Sequence, residues 1–281
     1  MSIARMVPRL AAVAGVLAIA AWSGLQAQQA QPQHGDAQYQ PRVGQTGKDV
    51  VWVPTPQALV DKMLEMAQAK PGDYVIDLGS GDGRTVITAA KRGMKAHGIE
   101  YNPEMVELAK RNAAKEGLGD KATFVKADIF ESDFSQATVL TLFLLTDLNI
   151  KLRPTILKMK PGTRVVSNSF GMGDWNPDEV ATVVEGCNSF CRANYWLVPA
   201  DANGKWKVGD SELVIEQKYQ MFTGKLTTGN VIAPITDGRL KADEISFTAA
   251  GVKYTGKVAG NAIEGTRSGG SADGAWEAKR D

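Results

Sequence analysis

The segment from Tyr74 to Arg84 constrains this chain more than any other. It reads YVIDLGSGDGR: an apolar strand, three glycines at alternating positions, and then a helical pattern that starts at Thr85. Glycine lets the backbone turn sharply and approach a ligand, and the following helix offers unpaired N–H groups at the same place. A second strand, Lys95–Ile99, ends at Glu100, whose carboxylate can reach a ribose bound across the strand ends. The segment therefore predicts a nucleoside site in an α/β domain.

The spacing of the glycines indicates which nucleoside. The dinucleotide fingerprint G-x-G-x-x-G requires its third glycine at the position of Arg84, so NAD is not expected. Asp77 lies two residues before the first glycine. Its carboxylate would repel a pyrophosphate but suits a ligand that carries an ammonium and a sulfonium. The pattern predicts S-adenosylmethionine as the cofactor; the alternative is a glycine-rich turn in an unrelated α/β protein.

This segment resembles the first motif of the class I S-adenosylmethionine-dependent methyltransferases. The resemblance implies that Asp77 faces the methionine ammonium and that the loop formed by Gly79, Ser80, Gly81 and Gly83 passes beneath the cofactor. Glu100 resembles the acid that binds the ribose. Asp128, after a predicted strand over Ala122–Lys126, resembles the acid that accepts a hydrogen bond from the adenine amino group. For each acid the alternative is a solvated loop carboxylate.

Further segments resemble one branch of that superfamily, the ATP-synthase c-subunit lysine methyltransferases and their bacterial relatives. They are Val53–Pro56, Gly79–Gly83, Thr141–Leu145 leading to Asn149, and Lys160–Ser167. The resemblance covers roughly residues 50 to 200 and implies methyl transfer to a protein lysine, with a membrane protein among the candidate acceptors. The chain departs from the eukaryotic members at Leu145–Asp147, where those have a proline-containing turn.

Asn149 follows the predicted fourth strand, Ala137–Leu145, and precedes a helical pattern over Leu152–Met159. Methyl transfer needs a nucleophile with a free lone pair, held in line with the sulfonium in a dry pocket. At this position Asn149 is a candidate catalytic residue that accepts a hydrogen bond from the incoming amine. The alternative is an asparagine that caps the helix.

Composition excludes several other functions. The net charge of +1 gives no basic excess, so a nucleic-acid partner is not expected. With two histidines, His34 and His97, neither a histidine-based metal site nor a Ser-His-Asp triad is expected. Cys187 and Cys191 lie four residues apart and without a second pair, which leaves two interpretations: buried thiols or a short-loop disulfide. The sequence does not indicate an oligomeric state.

The N-terminus has the layout of a secretory signal peptide. Arg5 and Arg9 precede an apolar run, Leu10–Trp22, and small residues before Gln28 offer a cleavage point. We expect residues 1–27 to be a signal peptide or an uncut membrane anchor, so that the domain is exported to the periplasm or faces outward. Residues 28–47 are polar and predict a disordered linker. Export conflicts with the chemistry, because S-adenosylmethionine is made in the cytoplasm. Either the cofactor reaches the outer compartment, or the protein acts before export, or the domain has lost catalysis.

Strand and helix patterns alternate through residues 48–200, which predicts a Rossmann-like, mostly parallel sheet with helices on both faces. Residues 201–281 change to short alternating runs between turns and predict a small antiparallel β domain, closed or half-closed. The predicted runs are Leu213–Gln217, Tyr219–Phe222, Glu244–Phe247, Val252–Tyr254, Ala262–Gly265 and Ala275–Ala278.

The sequence favours a methyltransferase that acts on a protein lysine. Two alternatives remain at this point: a small-molecule methyl acceptor, and a non-catalytic binding module that keeps the nucleotide fold. Intact acids at Asp77 and Glu100 favour the enzyme, because a binding relic has less need of both. The β domain is interpreted as a packing appendage or a dimer contact, with a platform for a substrate or partner as the alternative.

Overall fold

The computed structural model describes Met1, residues 34–269 and residues 273–281. Apart from Met1, the predicted signal peptide lies outside the described residues. Within the described part of the chain, no helix has the length and apolar character needed to cross a membrane.

The first part of the described chain, up to Leu197, contains four helices and seven strands. The helices are α1 (Gln57–Met66), α2 (Arg84–Lys91), α3 (Pro103–Lys115) and α4 (Thr146–Ile156). The strands are β1 (Tyr74–Leu78), β2 (Lys95–Glu100), β3 (Ala122–Lys126), β4 (Val139–Leu142), β5 (Arg164–Asn168), β6 (Glu179–Thr182) and β7 (Arg192–Leu197).

These strands form one sheet in the order β3-β2-β1-β4-β5-β7-β6. Strands β1 to β5 pair in parallel, and β7 is antiparallel to both β5 and β6. The strand order reverses between β1 and β4, and ligands bind outside the carboxyl ends of the strands at such a switch point. The predicted Rossmann-like sheet is confirmed, and it places the glycine loop at this edge.

Helices cover both faces of the sheet. Val75 and Val139 belong to a core cluster shared with α1, α2 and α3, whereas their neighbours Ile76 and Leu140 belong to a second cluster shared with α4. Successive side chains of a strand point to opposite faces, so the central strands β1 and β4 contribute to two cores and are apolar on both sides, whereas the edge strand β3 buries only Ala122 and Phe124 on one face.

Helix α4 begins earlier than predicted. It starts at Thr146 rather than near Leu152, so that Asn149 lies inside its first turns. Asn149, Leu152 and Ile156 form the buried stripe of this helix. Because the first member of the stripe is polar, the apolar periodicity of the sequence becomes visible only from Leu152. The interpretation of Asn149 as a helix cap is wrong, since the residue before the helix is Leu145.

The C-terminal part of the chain is a closed eight-stranded barrel. Its strands are β8 (Gly204–Val208), β9 (Ser211–Lys218), β10 (Met221–Thr228), β11 (Val231–Lys241), β12 (Glu244–Ala249), β13 (Val252–Ala259), β14 (Ala262–Ser268) and β15 (Gly274–Arg280). Side chains fill the interior, with Phe247 stacked on Tyr254 at 4.7 Å and Trp276 against both rings. A small barrel filled in this way is a packed core.

One predicted strand of this region is wrong. Tyr219 and Gln220 form the turn between β9 and β10, and Tyr219 has a left-handed φ of 58°. Both side chains face the sheet domain instead. The indole of Trp175, fully buried, donates a hydrogen bond to Gln220 Oε1 at 2.9 Å and stacks on Tyr219 at 5.7 Å. Arg239 pairs with Asp178 at 3.0 Å beside them. Barrel and sheet thus share an apolar contact with polar partners satisfied.

Of the expected disordered linker, residues 28–33 lie outside the described residues, and residues 34–47 form ordered contacts. Together with residues 48–55 they form a segment, here called the N-terminal strap, that lies on the sheet domain. Asp36 pairs with Arg111 of α3 at 2.6 Å, and a bridge joins Thr46 to Val51. The strap is held by ion pairs and hydrogen bonds with little apolar burial, and such partners cannot be read from a polar sequence.

Candidate active site

A pocket lies at the carboxyl edge of the sheet, over the switch point between β1 and β4. Its walls come from the loops after β1, β2, β3 and β4, and the N-terminal strap covers it. The predicted residues that line it are Asp77, Gly79, Ser80, Gly81, Glu100 and Asp128. One short region of the fold therefore brings together acids that are up to 51 positions apart in the sequence, from Asp77 to Asp128.

Two glycines of the loop are required by close packing. Gly81 and Gly83 have left-handed φ angles of 52° and 83°. A Cβ at Gly83 would lie 2.7 Å from the ring of Phe124, and a Cβ at Gly81 would lie 2.6 Å from Trp52 Nε1 of the strap. Gly83 therefore allows the loop to sit on the third strand, and Gly81 allows the strap to close over the loop.

Four N–H groups of the loop, those of Gly79, Ser80, Gly81 and Gly83, are already paired within the protein. Those of Gly79 and Ser80 donate to Ile99 O at 2.8 and 3.1 Å, and that of Gly83 donates to Ser80 O at 2.9 Å. The N–H of Gly81 donates to Glu100 Oε2 at 2.9 Å. Phosphate-binding loops instead aim free N–H groups at the ligand. The loop is therefore poorly suited to a pyrophosphate, which agrees with the exclusion of NAD.

Ser80 lies in the pocket wall, but its hydroxyl points toward the second strand. The position that a Cβ of Gly98 would take is 2.5 Å from Ser80 Oγ, so Gly98 leaves the room that this side chain occupies. Ser80 Oγ is buried and has no hydrogen-bond partner among the described residues. The predicted cofactor contact of Ser80 stays a prediction.

Glu100 ties the glycine loop to the start of α3. One carboxylate oxygen accepts the N–H of Gly81, and the other accepts the N–H of Asn102 at 2.9 Å. Asn102 in turn caps α3, since its side chain accepts the N–H of Glu104 at 2.9 Å. A carboxylate has about four lone-pair sites, so Glu100 retains acceptors for two ribose hydroxyls.

Asp77 is buried at the end of β1 and faces the pocket. Thr141, its neighbour on β4, donates a hydrogen bond to it at 2.6 Å. Burial, together with the charges of Glu100 and Asp82, raises the pKa of Asp77 to about 7. A nearby cation stabilises the ionised form of a buried carboxyl, which fits the predicted place of Asp77 beside the methionine ammonium.

Asp128 lies at the end of the third strand, as predicted, but the strap occupies it. The Lys48 ammonium pairs with its carboxylate and lies 5.0 Å from the centre of the Tyr101 ring. This ammonium holds the pKa of Asp128 below its usual range. The predicted contact with adenine stays a prediction, and it requires Asp128 to share its acceptors with Lys48.

The pocket also contains residues that the sequence analysis did not single out. Arg84 pairs with Asp82 at 2.6 Å and donates to Thr55 O at 2.9 Å, so it fastens the strap to the loop. Trp52 lies against Gly81. Arg84 has a sequence signal, as the residue that replaces the third glycine of the dinucleotide fingerprint. The strap residues have none, because their role depends on folding back over the loop.

Asn149 is buried and does not line the pocket. Its side-chain amide donates to Phe170 O at 3.2 Å and to Gly171 O at 3.1 Å, and so positions the loop after β5. Its carbonyl oxygen, Oδ1, has no hydrogen-bond partner among the described residues. That Asn149 accepts a hydrogen bond from an incoming amine stays a prediction, whereas its contact with the Phe170 loop is observed.

A second recess adjoins the pocket. We call it the aromatic recess, since Phe143, Phe170 and Phe190 line it together with Leu145 and part of the strap. The three rings lie with centres 5.3 to 6.2 Å apart. Phe190 belongs to the loop between β6 and β7, where Cys187 and Cys191 form a disulfide with Cα atoms 5.7 Å apart. Of the two interpretations of these cysteines, the disulfide is the one observed.

The residues present fit S-adenosylmethionine. The pocket offers acceptors, Asp77 and Glu100, where the ligand has an ammonium and ribose hydroxyls. The N–H groups of Gly79, Ser80, Gly81 and Gly83, which phosphates of a dinucleotide would need, are paired within the protein. Among the described residues, no cluster of His, Cys, Asp or Glu could hold a metal ion.

Comparison with known proteins agrees with this geometry. The ANTKMT methyltransferase domain family matches residues 77–179, and a DNA methylase family matches residues 29–111. A protein-lysine N-methyltransferase of Saccharolobus islandicus (strain REY15A) is 49% identical over 140 residues, which cover 49% of this chain and 87% of that protein. The chain belongs to the same family of S-adenosylmethionine-dependent methyltransferases.

More distant family members match over part of their length. The human lysine N-methyltransferase of the ATP synthase c-subunit is 32% identical over 130 residues, which cover 46% of this chain and 55% of that protein. Among solved structures, a Salinibacter ruber protein described as an RNA methyltransferase, in complex with S-adenosyl-L-homocysteine, is 45% identical. The match covers 53% of this methyltransferase and 95% of the Salinibacter ruber chain, with a TM-score of 0.50.

Cofactor affinity should depend on pH through Asp77. Its pKa of about 7 means that the carboxyl is mostly neutral below that pH, and the neutral form attracts an ammonium less. We expect the dissociation constant of S-adenosylmethionine to fall about tenfold between about pH 6 and about pH 8. Isothermal titration calorimetry across this range measures it.

Asp77→Asn is the control, since it removes the titration and nearly preserves the shape. It should bind the cofactor weakly and with little dependence on pH. Because the pKa of Asp77 is raised from 3.8, its contribution to stability is complete below 3.8 and is lost as the pH rises through about 7. The variant should therefore exceed the wild type in stability at neutral pH, by about 2–4 kcal/mol. Equal pH profiles in both proteins would contradict this assignment.

Glu100→Ala should weaken S-adenosylmethionine binding by about 1.5–3 kcal/mol, the range for hydrogen bonds to a charged group. It also frees the N–H of Gly81, so a stability loss of about 1 kcal/mol should accompany it. Glu100→Gln keeps one acceptor for one of the two N–H groups of Gly81 and Asn102, so it should lose less stability than Glu100→Ala while still binding less tightly. Calorimetry and thermal melts separate the two effects. If both variants bind normally, the ribose is held elsewhere.

Proposed function

We propose that this methyltransferase transfers a methyl group to the side-chain amine of a protein lysine. The observation that carries the proposal is the aromatic recess, which opens beside the cofactor pocket and is lined mainly by apolar side chains. A lysine side chain has a matching form, with an apolar stem and a terminal nitrogen. The names of relatives in two domains of life, which specify lysine, support the same acceptor.

The recess also accounts for how a lysine could react. Lysine is a nucleophile only after it loses a proton, and an apolar environment lowers the pKa of an amine. When bound, S-adenosylmethionine supplies a methyl group on a sulfonium, which a neutral amine can take while the electron pair of the broken C–S bond stays on sulfur. Phe143 and Leu144 line both the pocket and the recess, so they exclude water where the two meet. The methylated amine then carries the positive charge.

Nucleic acid is the acceptor class that the names of the Salinibacter ruber protein and of the DNA methylase family raise. The charge of this protein argues against a nucleic-acid acceptor. The net charge is +1, and among the described residues the one basic side chain that lines the recess, that of Lys48, is paired with Asp128. Binding to a nucleic-acid backbone relies on several free basic side chains.

A transfer assay with labelled S-adenosylmethionine tests the acceptor. We expect label on poly-L-lysine and on a membrane protein fraction, recovered as methyl-lysine after hydrolysis, and none on total RNA. The membrane fraction tests whether the acceptor is a membrane protein, as the similarity to the ATP synthase c-subunit methyltransferases suggests. Glu100→Ala serves as the control for transfer through this site. Label on RNA with none on either lysine source would overturn the proposal.

We also propose that the protein works outside the cytoplasm. The Cys187–Cys191 disulfide supports this location, since such bonds persist in oxidising compartments and are rare in the cytosol. The apolar run Leu10–Trp22 supports it independently. Cell fractionation should place the protein in the periplasm or on the membrane, and removal of residues 1–27 should retain it in the cytoplasm. A full-length cytoplasmic protein with free thiols would contradict export.

A further inference from the structure

The Cys187–Cys191 disulfide lies in the loop between β6 and β7, which carries Phe190 of the aromatic recess. We propose that the aromatic recess is the subsite for the alkyl chain of the acceptor, and that the Cys187–Cys191 bridge holds Phe190 in its wall. This inference deepens the proposed lysine transfer and rests on it for the identity of the acceptor. It makes Phe190 a specificity-determining residue and makes the recess depend on an intact disulfide.

The first support is continuity between recess and cofactor pocket. Val53, Phe143 and Leu144 line both, and so does the strap over residues 46–51. A group that receives a methyl from the cofactor must stand where the two spaces meet. The charged lining residues of the recess are Lys48 and Asp49, and the ammonium of Lys48 is paired with Asp128. Most of the surface beyond the junction is therefore apolar.

The three rings match an alkylamine. Phe190 meets Phe143 edge-on, with centres 5.3 Å apart, and its centre lies 6.1 Å from that of Phe170. Aromatic faces pack against methylene groups and attract a cation through the ring quadrupole. The rings can thus hold the stem of the neutral amine before transfer and the methylammonium after it.

The backbone of Phe190 has an unfavourable conformation that an unrestrained loop would not keep. Its φ of 54° is left-handed, a backbone conformation that is strained for a residue with a Cβ. The ring is also 40% exposed, so burial compensates only in part. The disulfide closes the chain around Phe190, and Cys191 O accepts the N–H of Val183 at 2.8 Å. The disulfide thus restrains the loop around Phe190, and the hydrogen bond closes the base of the loop beside β6 and β7.

The other rings are fixed without the disulfide. Phe170 O accepts hydrogen bonds from Ser167 Oγ at 2.8 Å and from Asn149 Nδ2 at 3.2 Å. Phe143 follows β4 directly, at the pocket wall. Loss of the disulfide should therefore displace Phe190 and leave both the cofactor pocket and the remaining rings in place. This separation makes the effect measurable.

An arm-bearing cofactor analogue tests the recess without turnover. The probe is the aza-analogue of S-adenosylhomocysteine that carries an n-butylamine arm where the methyl group stands. In the wild type the analogue with the arm should bind more tightly than S-adenosylhomocysteine does. Phe190→Ala should weaken binding of that analogue about tenfold. Phe190→Tyr should retain the tighter binding. Val184→Ala, a change at an 84% exposed residue of the same loop, is the matched control and should have no effect.

The disulfide is tested by Cys187→Ser with Cys191→Ser. This double variant should lose arm affinity as Phe190→Ala does, and should lose nothing more in the Phe190→Ala background, because both changes act through one ring. Binding of S-adenosylhomocysteine should stay within about twofold throughout. The proposal is overturned if the arm gives no gain in the wild type, if Phe190→Ala leaves the gain intact, or if the two changes add.

These outcomes separate the recess from the choice of acceptor. If the arm binds through Phe190 but neither poly-L-lysine nor the membrane fraction is methylated, the recess stands as an alkylamine subsite and the lysine proposal fails. If lysine is methylated and the arm binds equally well without Phe190, the acceptor is correct and the subsite is wrong.

Discussion

The hydrogen bonds of Glu100 hold the cofactor site together. Its carboxylate accepts one N–H from the glycine loop after β1 and one from the start of α3 after β2, so two neighbouring strand ends are fixed relative to each other. A side chain at Gly83 would push the loop away from Phe124 of the third strand, and one at Gly81 would push away Trp52 of the strap. The glycines and the acid therefore form one unit in which each depends on the other.

That unit leaves Asp77 without a cationic partner from the described residues. Arg84 is paired with Asp82, and Lys48 is paired with Asp128, so these bases near the pocket are already used by other acids. Asp77 has the hydroxyl of Thr141 instead, and burial, together with the charges of Glu100 and Asp82, raises its pKa to about 7. A ligand with an ammonium supplies the missing charge. Selectivity for a cationic cofactor follows from how the protein distributes its own ion pairs.

Local patterns predicted the parts of the structure that local chemistry determines. The first motif, Glu100 and the alternation of strands and helices are short-range signals, and the sheet that they predict is confirmed. Strand β11 had no such signal, because Pro234 and the left-handed Asp237 interrupt it and its pairing shifts register between Thr236 and Arg239. The strap and Phe190 were missed for a different reason, since their roles come from contacts across the fold.

The two halves of the candidate site therefore have different sequence origins. The cofactor half is formed by strand ends and a motif of about ten residues, and it tolerates little change because glycines and buried acids fit one another closely. The acceptor half is formed by the ends of three separate loops, each fixed by its own device: the end of β4 for Phe143, Asn149 for Phe170 and the disulfide for Phe190. Substitution in one of these loops can alter the recess without disturbing the cofactor. Proteins named for different acceptors can for this reason share the first half closely, and the acceptor of this chain has to be argued from the second.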